Sequence, residues 1–217
     1  TRPGKCYVVA AARSGPPFLP GGTAGPRPYQ NPMPLPYTDP FQPAGHIDGI
    51  RVRRLQVNAD DRGNLVETLK SDWDDFYDAE RMPFTQNYYS FTRSGVARDE
   101  DRWHIHQLQR DRFVVIDGDL VVGVHDPRPG SATEGAVNLF RMGAAQGPDG
   151  QYTLMIPELV HHGFVVVPDA PAILTNFPTR LYDPEDEGRV PFAEAAATLP
   201  DGRPFAWELI RQDLGPT

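Results

Sequence analysis

The chain has 217 residues, enough for one domain with a sizeable core, and its 39% hydrophobic and 23% charged residues are typical of a soluble globular protein. The net charge of −8 argues against a nucleic-acid-binding surface, no apolar run is long enough to span a membrane, and a single cysteine excludes an internal disulfide. Because no signal peptide is visible, a cytoplasmic protein is expected.

The first 45 residues contain 11 of the 24 prolines. Proline fixes the backbone φ angle and lacks an amide proton, so this segment can form neither a helix nor a central strand. It is predicted to be an extended N-terminal arm (residues 1–45), followed by one domain (residues 46–217).

From Ile47 onward the chain consists of short β-rich runs separated by turn signals, among them IRVRRLQV, RWHIHQL, DLVVGVH and GFVVV. This spacing predicts an all-β fold with few short helices, a closed jelly-roll β-barrel. The Asp-Gly pair in FVVIDGDLVVGV predicts a β-hairpin. Helical patterns are weak and occur at residues 72–82 and 192–199. The acidic runs at 99–102 and 183–188 are predicted to be solvated loops.

The stretch WHIHQLQRDRF (103–113) contains the first group of candidate functional residues, two histidines and an aspartate. His104 and His106 share one strand face because alternate side chains point the same way, and Asp111 follows after a short connection. This spacing resembles the first cupin motif, and Pro157 to His162 resembles the second; in that fold two histidines, a carboxylate and a third histidine surround one cation. His161 is expected to point away from the site, toward solvent or a supporting position.

Nitrogen-rich ligation with one carboxylate suits a divalent transition metal such as Fe, Mn, Ni, Cu or Zn. The predicted ligands are His104, His106, Asp111 and His162. The alternative is that the paired histidines are partly buried strand residues hydrogen-bonded to their neighbours.

Five ordered segments show a more extensive resemblance across roughly residues 47–190. They are DDRGNLVET (60–68), TQNYYS (85–90), HDPRPGSATEG (125–135), IPELVHHGF (156–164) and LYDPEDEG (181–188). Together they resemble the motifs of the dTDP-4-dehydrorhamnose 3,5-epimerase family, a cupin-type jelly roll. The resemblance implies a small-molecule substrate such as a nucleotide sugar, and a homodimer whose barrels pair and exchange N-terminal segments.

The resemblance also implies roles for individual residues. His106 stands where the family keeps its catalytic base, and His162 matches the histidine of its H-G-F motif. Tyr182 is a candidate replacement for the family's tyrosine acid, whose position falls on Thr175. The residues that match its nucleotide-sugar contacts are Arg62, Glu67, Gln86 and Asn87.

Two departures from the family pattern point toward a metal. The family's glycine is His104 here and its lysine is Asp111, so each change adds a ligand at a cupin metal position. The sequence therefore predicts a metal-dependent enzyme of the isomerase or epimerase type, which acts on a keto sugar or related carbonyl compound by enolisation. Its candidate catalytic residues are His106 and His162.

Three alternatives remain open at this point. The first is a metal-free dTDP-4-keto-sugar 3,5-epimerase with His106 as its base. The second is an iron-dependent cupin dioxygenase, and the third is a non-catalytic ligand-binding cupin.

Overall fold

The computed structural model describes residues 34–215, and no helix within this range is long and apolar enough to cross a membrane. Short 3-10 segments lie at Pro43–Gly45 and Ala144–Gly150. The strands and helices are β1 (Arg51–Arg54), β2 (Val57–Asp60), β3 (Gly63–Val66), β4 (Tyr88–Thr92), β5 (Ala97–Arg98), β6 (Arg102–His106), β7 (Asp111–Asp117), β8 (Asp119–His125), β9 (Val137–Gly143), β10 (Tyr152–Ile156), β11 (His161–Val166), β12 (Ala172–Asn176), β13 (Glu187–Pro191), α1 (Phe192–Ala195) and α2 (Trp207–Leu214).

Two antiparallel sheets form the barrel, and the predicted all-β, cupin-type jelly roll with few short helices is confirmed. The five-stranded sheet has the order β1-β10-β7-β12-β4, and the six-stranded sheet has the order β13-β6-β11-β8-β9, with β5 also paired to β11. Strands β2 and β3 form a separate two-stranded hairpin.

The main core lies between the two sheets, because alternate residues of each strand point inward. Val122 and Val124 of β8 face Leu154 and Ile156 of β10 across this layer, and all four are buried. A second apolar cluster covers the outer face of the six-stranded sheet, where Trp103 packs with residues of α2.

Two strand glycines let α2 approach the outer face of the six-stranded sheet. A Cβ atom on Gly123 or Gly163 would lie 3.0 Å from the ring of Trp207, closer than nearly all observed Cβ contacts. The indole fills the space that these two residues leave, and its Nε1 donates a hydrogen bond to the carbonyl of Asp99.

The hairpin predicted around Gly118 is wrong. β7 and β8 follow one another in the chain but belong to different sheets, so the Asp-Gly turn carries the backbone from one sheet to the other. Gly118 has a φ of +69°, and a Cβ there would lie 2.2 Å from the carbonyl oxygen of Pro171, so the turn requires glycine for reasons unrelated to strand pairing. Each strand is buried over most of its length and pairs with other strands.

The helix predicted over residues 72–82 does not form. Residues in this range form turns, and Asp78 pairs with Met82 through two backbone hydrogen bonds in an isolated antiparallel bridge. The guanidinium of Arg112 binds the carbonyl oxygens of Phe76 and Met82. The pattern at 192–199 yields only the four-residue helix α1, and α2 was not predicted.

Of the predicted arm, residues 1–33 lie outside the described residues. The remaining part packs on the outer cluster of the six-stranded sheet. Leu35 is buried there and its amide donates a 2.7 Å hydrogen bond to Oδ1 of Asp213, while the hydroxyl of Tyr37 donates to Oδ2 of the same carboxylate.

Candidate functional site

Three histidines meet on the inner face of the six-stranded sheet. Because Trp103 packs outward, strand alternation turns His104 and His106 inward, and the antiparallel register of β6 and β11 sets His162 opposite His104. One ring nitrogen from each imidazole lies within 4.8 Å of the other two. The Nε2 atoms of His104 and His106 are 2.9 Å apart.

Asp111 completes this cluster from the opposite sheet, at the start of β7. Its Oδ2 lies 3.1 Å from Nε2 of His162 and 3.7 Å from Nε2 of His106. The structure therefore brings together the four residues predicted as metal ligands, three from one sheet and one from the other.

The cluster forms part of the wall of a cavity of about 200 Å³ between the sheets. His104, Asp111 and His162 line this cavity, whereas His106 is not part of its wall and is 8% exposed. The apolar side chains in the lining, Phe113, Phe164 and Leu174, also belong to the main core. The floor of the cavity and the core of the barrel are thus built from the same residues.

Burial sets the protonation of these groups. It lowers the pKa of His104 to about 2, with further lowering by the neighbouring His162 and His106, and it also lowers the pKa of His106. Burial alone would raise the pKa of Asp111, but the hydrogen bond with His162 and the charges of His162 and His106 hold it below its usual range. At neutral pH the site therefore presents neutral imidazoles at His104 and His106 beside an ionised carboxylate.

Asp186 supports His106 from the side away from the cluster. Its Oδ2 lies 3.4 Å from Nδ1 of His106, and its two carboxylate oxygens accept backbone amide hydrogen bonds from residues 107–109. Sequence reasoning placed this residue in a solvated acidic loop, yet its carboxylate is 4% exposed. Its position within LYDPEDEG was the only sequence signal available.

A charged group flanks His104 at the cavity. Asp99, in the left-handed backbone region with φ +63°, lines the cavity and accepts a 3.2 Å contact from Nε of Arg189. Arg189 also pairs with Glu187. Nδ1 of His104 lies 3.9 Å from Asp99 and 3.8 Å from Glu187, so this imidazole is surrounded by carboxylates on the side opposite His106.

Tyr88 of β4 lines the cavity from the five-stranded sheet and was not assigned a role from the sequence. Its hydroxyl lies 2.8 Å from Nδ2 of Asn176, a fully buried amide on the adjacent strand. Burial, together with the negative charge of Asp111, raises the pKa of Tyr88 to about 12. Tyr88 and Tyr89 are consecutive, so in a strand their side chains point to opposite faces, and this was the sequence signal that one of them faces inward.

The residues predicted to contact a nucleotide sugar lie outside this cavity wall. Arg62 is on the turn of the β2–β3 hairpin with its side chain 84% exposed, and Glu67 follows the same hairpin. Gln86 donates a hydrogen bond to the carbonyl of residue 180, and Asn87 donates to the hydroxyl of Thr175. Tyr182 is 70% exposed and lines a different, shallow surface groove.

A second histidine pair lies on the other face of the six-stranded sheet. His161 is 4% exposed rather than solvent-facing, and its Nδ1 is 3.1 Å from Nδ1 of His125. Both rings stack on Trp103. Burial lowers the pKa of His161 to about 4, with further lowering by His125, so this pair is held in the neutral form.

Comparison with known proteins identifies the family to which this chain is similar. A model of the dTDP-4-dehydrorhamnose 3,5-epimerase family matches residues 44–204. The chain is 42% identical over 150 residues to a probable low-salt glycan biosynthesis epimerase of Haloferax volcanii, a match that spans 68% of this chain and 89% of that protein.

Solved structures agree with this match. A dTDP sugar isomerase from Desulfovibrio desulfuricans aligns with a TM-score of 0.62 at 25% identity, covering 75% of this chain and 92% of that one. NovW, a 4-keto-6-deoxy sugar epimerase from Streptomyces spheroides, aligns with a TM-score of 0.57 at 25% identity, covering 73% and 78% of the two chains.

Proposed function

The chain belongs to the dTDP-4-dehydrorhamnose 3,5-epimerase family, and we propose that it isomerises or epimerises a nucleotide-linked keto sugar by enolisation in the cavity between the sheets. A ketone makes the neighbouring C–H bond acidic, so a positioned base and a group that stabilises the enolate oxygen suffice for the reaction. The observation that carries the proposal is the convergence of three imidazoles and one carboxylate beside the cavity, whose wall includes His104, His162 and Asp111.

The same cluster supports a finer proposal, that His104, His106, His162 and Asp111 hold a divalent transition metal. The donor set fits, because the imidazoles of His104 and His106 are neutral and the carboxylate is ionised, which are the forms that bind metal ions. Held by these four residues, a divalent metal would supply Lewis-acid polarisation of a carbonyl oxygen and so would acidify the adjacent C–H bond. Asp99 lines the cavity and is not among these ligands, so it would be the carboxylate available to take the carbon-bound proton.

Metal analysis of protein purified without a nickel column tests this finer proposal. We expect about one equivalent of a transition metal per chain, which His104→Ala should abolish while the fold is retained. His161→Gln is the matched control, because residue 161 is on β11 beside His162 but faces the opposite side of the sheet. Wild-type protein without stoichiometric metal would exclude a metal-dependent mechanism.

One observation favours a metal-free epimerase as the second candidate. Oδ2 of Asp186 lies 3.4 Å from Nδ1 of His106 without forming a hydrogen bond, and this carboxylate favours the tautomer with the proton on Nδ1, which leaves Nε2 as the basic nitrogen. Since His106 is not part of the cavity wall, His104 relays the proton: its Nδ1 accepts the proton from carbon while its Nε2–H bond breaks, and that second proton passes to Nε2 of His106, 2.9 Å away. Turnover by protein that contains no metal would favour this candidate.

We further propose a homodimer in which the β2–β3 hairpin contributes to the partner's cavity. The hairpin forms a sheet of its own, Leu65 on it is 63% exposed, and Arg62 pairs only with Asp60 among the described residues. For Arg62 to contact a nucleotide sugar, it must reach a cavity other than that of its own chain. Light scattering on the eluted protein should give about twice the mass of one chain, and a monomer mass would contradict the proposal.

A further inference from the structure

The amide of Asn176 has a single allowed orientation. Its Oδ1 accepts a 3.0 Å hydrogen bond from the backbone amide of Arg112, which fixes Nδ2 on the other side. The two Nδ2 protons are then directed to Oδ1 of Asp111 and to the hydroxyl of Tyr88, each at 2.8 Å. An amide nitrogen can only donate, so the Tyr88 hydroxyl accepts this bond.

The proton of the Tyr88 hydroxyl is consequently left without a partner. Among residues 34–215 the hydroxyl makes no hydrogen bond other than the one from Nδ2 of Asn176, so no described protein group accepts its proton. Tyr88 also lines the cavity. The free O–H bond is thus available to whatever molecule the cavity holds.

Tyr88 and the histidines stand on opposite walls. Tyr88 belongs to the five-stranded sheet, whereas His104 and His162 belong to the six-stranded sheet, and all three line the same cavity. A sugar ring between the sheets presents one face to each wall. We infer that Tyr88 is the proton donor of this site, acting on the face of the substrate opposite the base; the inference rests on the proposed keto-sugar chemistry.

The step balances without a further reagent. The C–H bond beside the ketone breaks, its proton passes to the base on the histidine side, and the electron pair moves onto the ketone oxygen. The Tyr88 O–H bond then breaks as the enolate carbon forms a new C–H bond on the opposite face, which inverts the stereocentre. Solvent water then takes the proton from the base and returns one to the tyrosinate, so no proton is gained or lost overall. Thr175, which occupies the position of the family's tyrosine, accepts a hydrogen bond from Asn87 and donates one to the carbonyl of Tyr88.

Reaction in D₂O separates proton removal from inversion. The probe is dTDP-4-keto-6-deoxyglucose, and NMR and mass spectrometry follow deuterium incorporation and the inverted product separately. Wild type should give inverted, deuterated sugar. Tyr88→Phe should still introduce deuterium into the starting sugar, because the base remains, while formation of the inverted product falls by about 10² to 10⁴-fold, the usual contribution of a general acid.

The matched control is Tyr89→Phe, because Tyr89 is the next residue on β4, is 69% exposed and does not line the cavity; it should behave as wild type. Undiminished inversion by Tyr88→Phe overturns the inference, and so does an equal loss of exchange and inversion, which would indicate a binding or structural role. If wild type neither exchanges deuterium into this probe nor inverts it, the proposed function is contradicted for this sugar and the inference is contradicted with it. This result is distinguishable from failure of the inference alone, because wild type and Tyr88→Phe then behave alike.

Discussion

The largest expected effect on stability concerns Arg112. Its guanidinium is fully buried and, among the described residues, donates hydrogen bonds to carbonyl oxygens alone. It donates to the backbone carbonyls of Phe76, Met82, Pro83, Phe177 and Pro178 at 2.6 to 3.4 Å. Burial lowers the pKa of Arg112 to about 10, and the group remains charged at neutral pH. Arg112 follows Asp111 on β7, and its side chain therefore holds two loops against this strand.

Arg112→Met keeps the length of the side chain and removes all of its donors. Each buried carbonyl left without a donor costs roughly 1–3 kcal/mol, but water reaches some of them and the buried cation has its own desolvation cost. We therefore expect the free energy of unfolding to fall by about 3–5 kcal/mol, and Tm to fall by roughly 10 °C for a domain of this size. Arg112→Lys retains three donors and should recover part of the loss.

Urea denaturation followed by intrinsic fluorescence measures this change. Arg81→Gln is the control, since Arg81 lies in the same 72–82 segment but is exposed and, within residues 34–215, forms an ion pair only with Asp78; it should match wild type. A loss below about 1 kcal/mol for Arg112→Met, within the range of ordinary surface substitutions, would refute the reasoning. It would mean that water satisfies the two loops as well as the guanidinium does.

Three further predictions follow from the site and its surroundings. If the hairpin acts at the partner's cavity, mixing and refolding equal amounts of inactive Arg62→Ala and His106→Ala should restore about a quarter of wild-type activity; no recovery would place Arg62 at its own chain's site. Asp186→Asn should lower kcat about 10- to 100-fold by releasing His106, as loss of an orienting partner usually does, whereas unchanged kcat would make Asp186 a loop support only. In the unfolded state His161 takes up a proton below its ordinary pKa of 6.5, whereas in the folded state it does so only near pH 4, so the free energy of unfolding should fall as the pH drops from 6.5 to 4. His161→Gln should make this acid side of the stability profile less steep, and an unchanged slope would contradict the assignment.

The inward face of the site could be predicted because strand alternation is a local rule. His104 and His106 share a face by that rule, and His162 follows from its motif. Asp111 could be placed near them only through its spacing, yet it comes from the opposite sheet. The rule also separates His161 from His162, but it could not show that the outer face is covered, because α2, which begins at Trp207, lies about 45 residues further along the chain.

Other features depended on which strands pair, and the sequence does not encode this locally. Asp-Gly is the strongest hairpin signal, but Gly118 serves a crossing between sheets, where Pro171 approaches its backbone. Asp186 and Asn176 acquire their roles through β13 pairing with β6 and β12 pairing with β4. Tyr88 could be identified only in part from the sequence. Tyr88 and Tyr89 point to opposite faces of one strand, and only the strand register shows which of them lines the cavity.

The apolar side chains that line the cavity also form the core of the barrel, so a change in substrate preference at these positions would also change stability. Phe113, Phe164 and Leu174 shape the space that a sugar would fill, and the same side chains hold the two sheets together. Shortening one of them to admit a bulkier sugar would leave a void that costs about 2–5 kcal/mol while it is empty. New substrate preferences should therefore arise mainly at the polar wall, where Ser90 and Arg189 lie outside the apolar core, or after stabilising substitutions elsewhere.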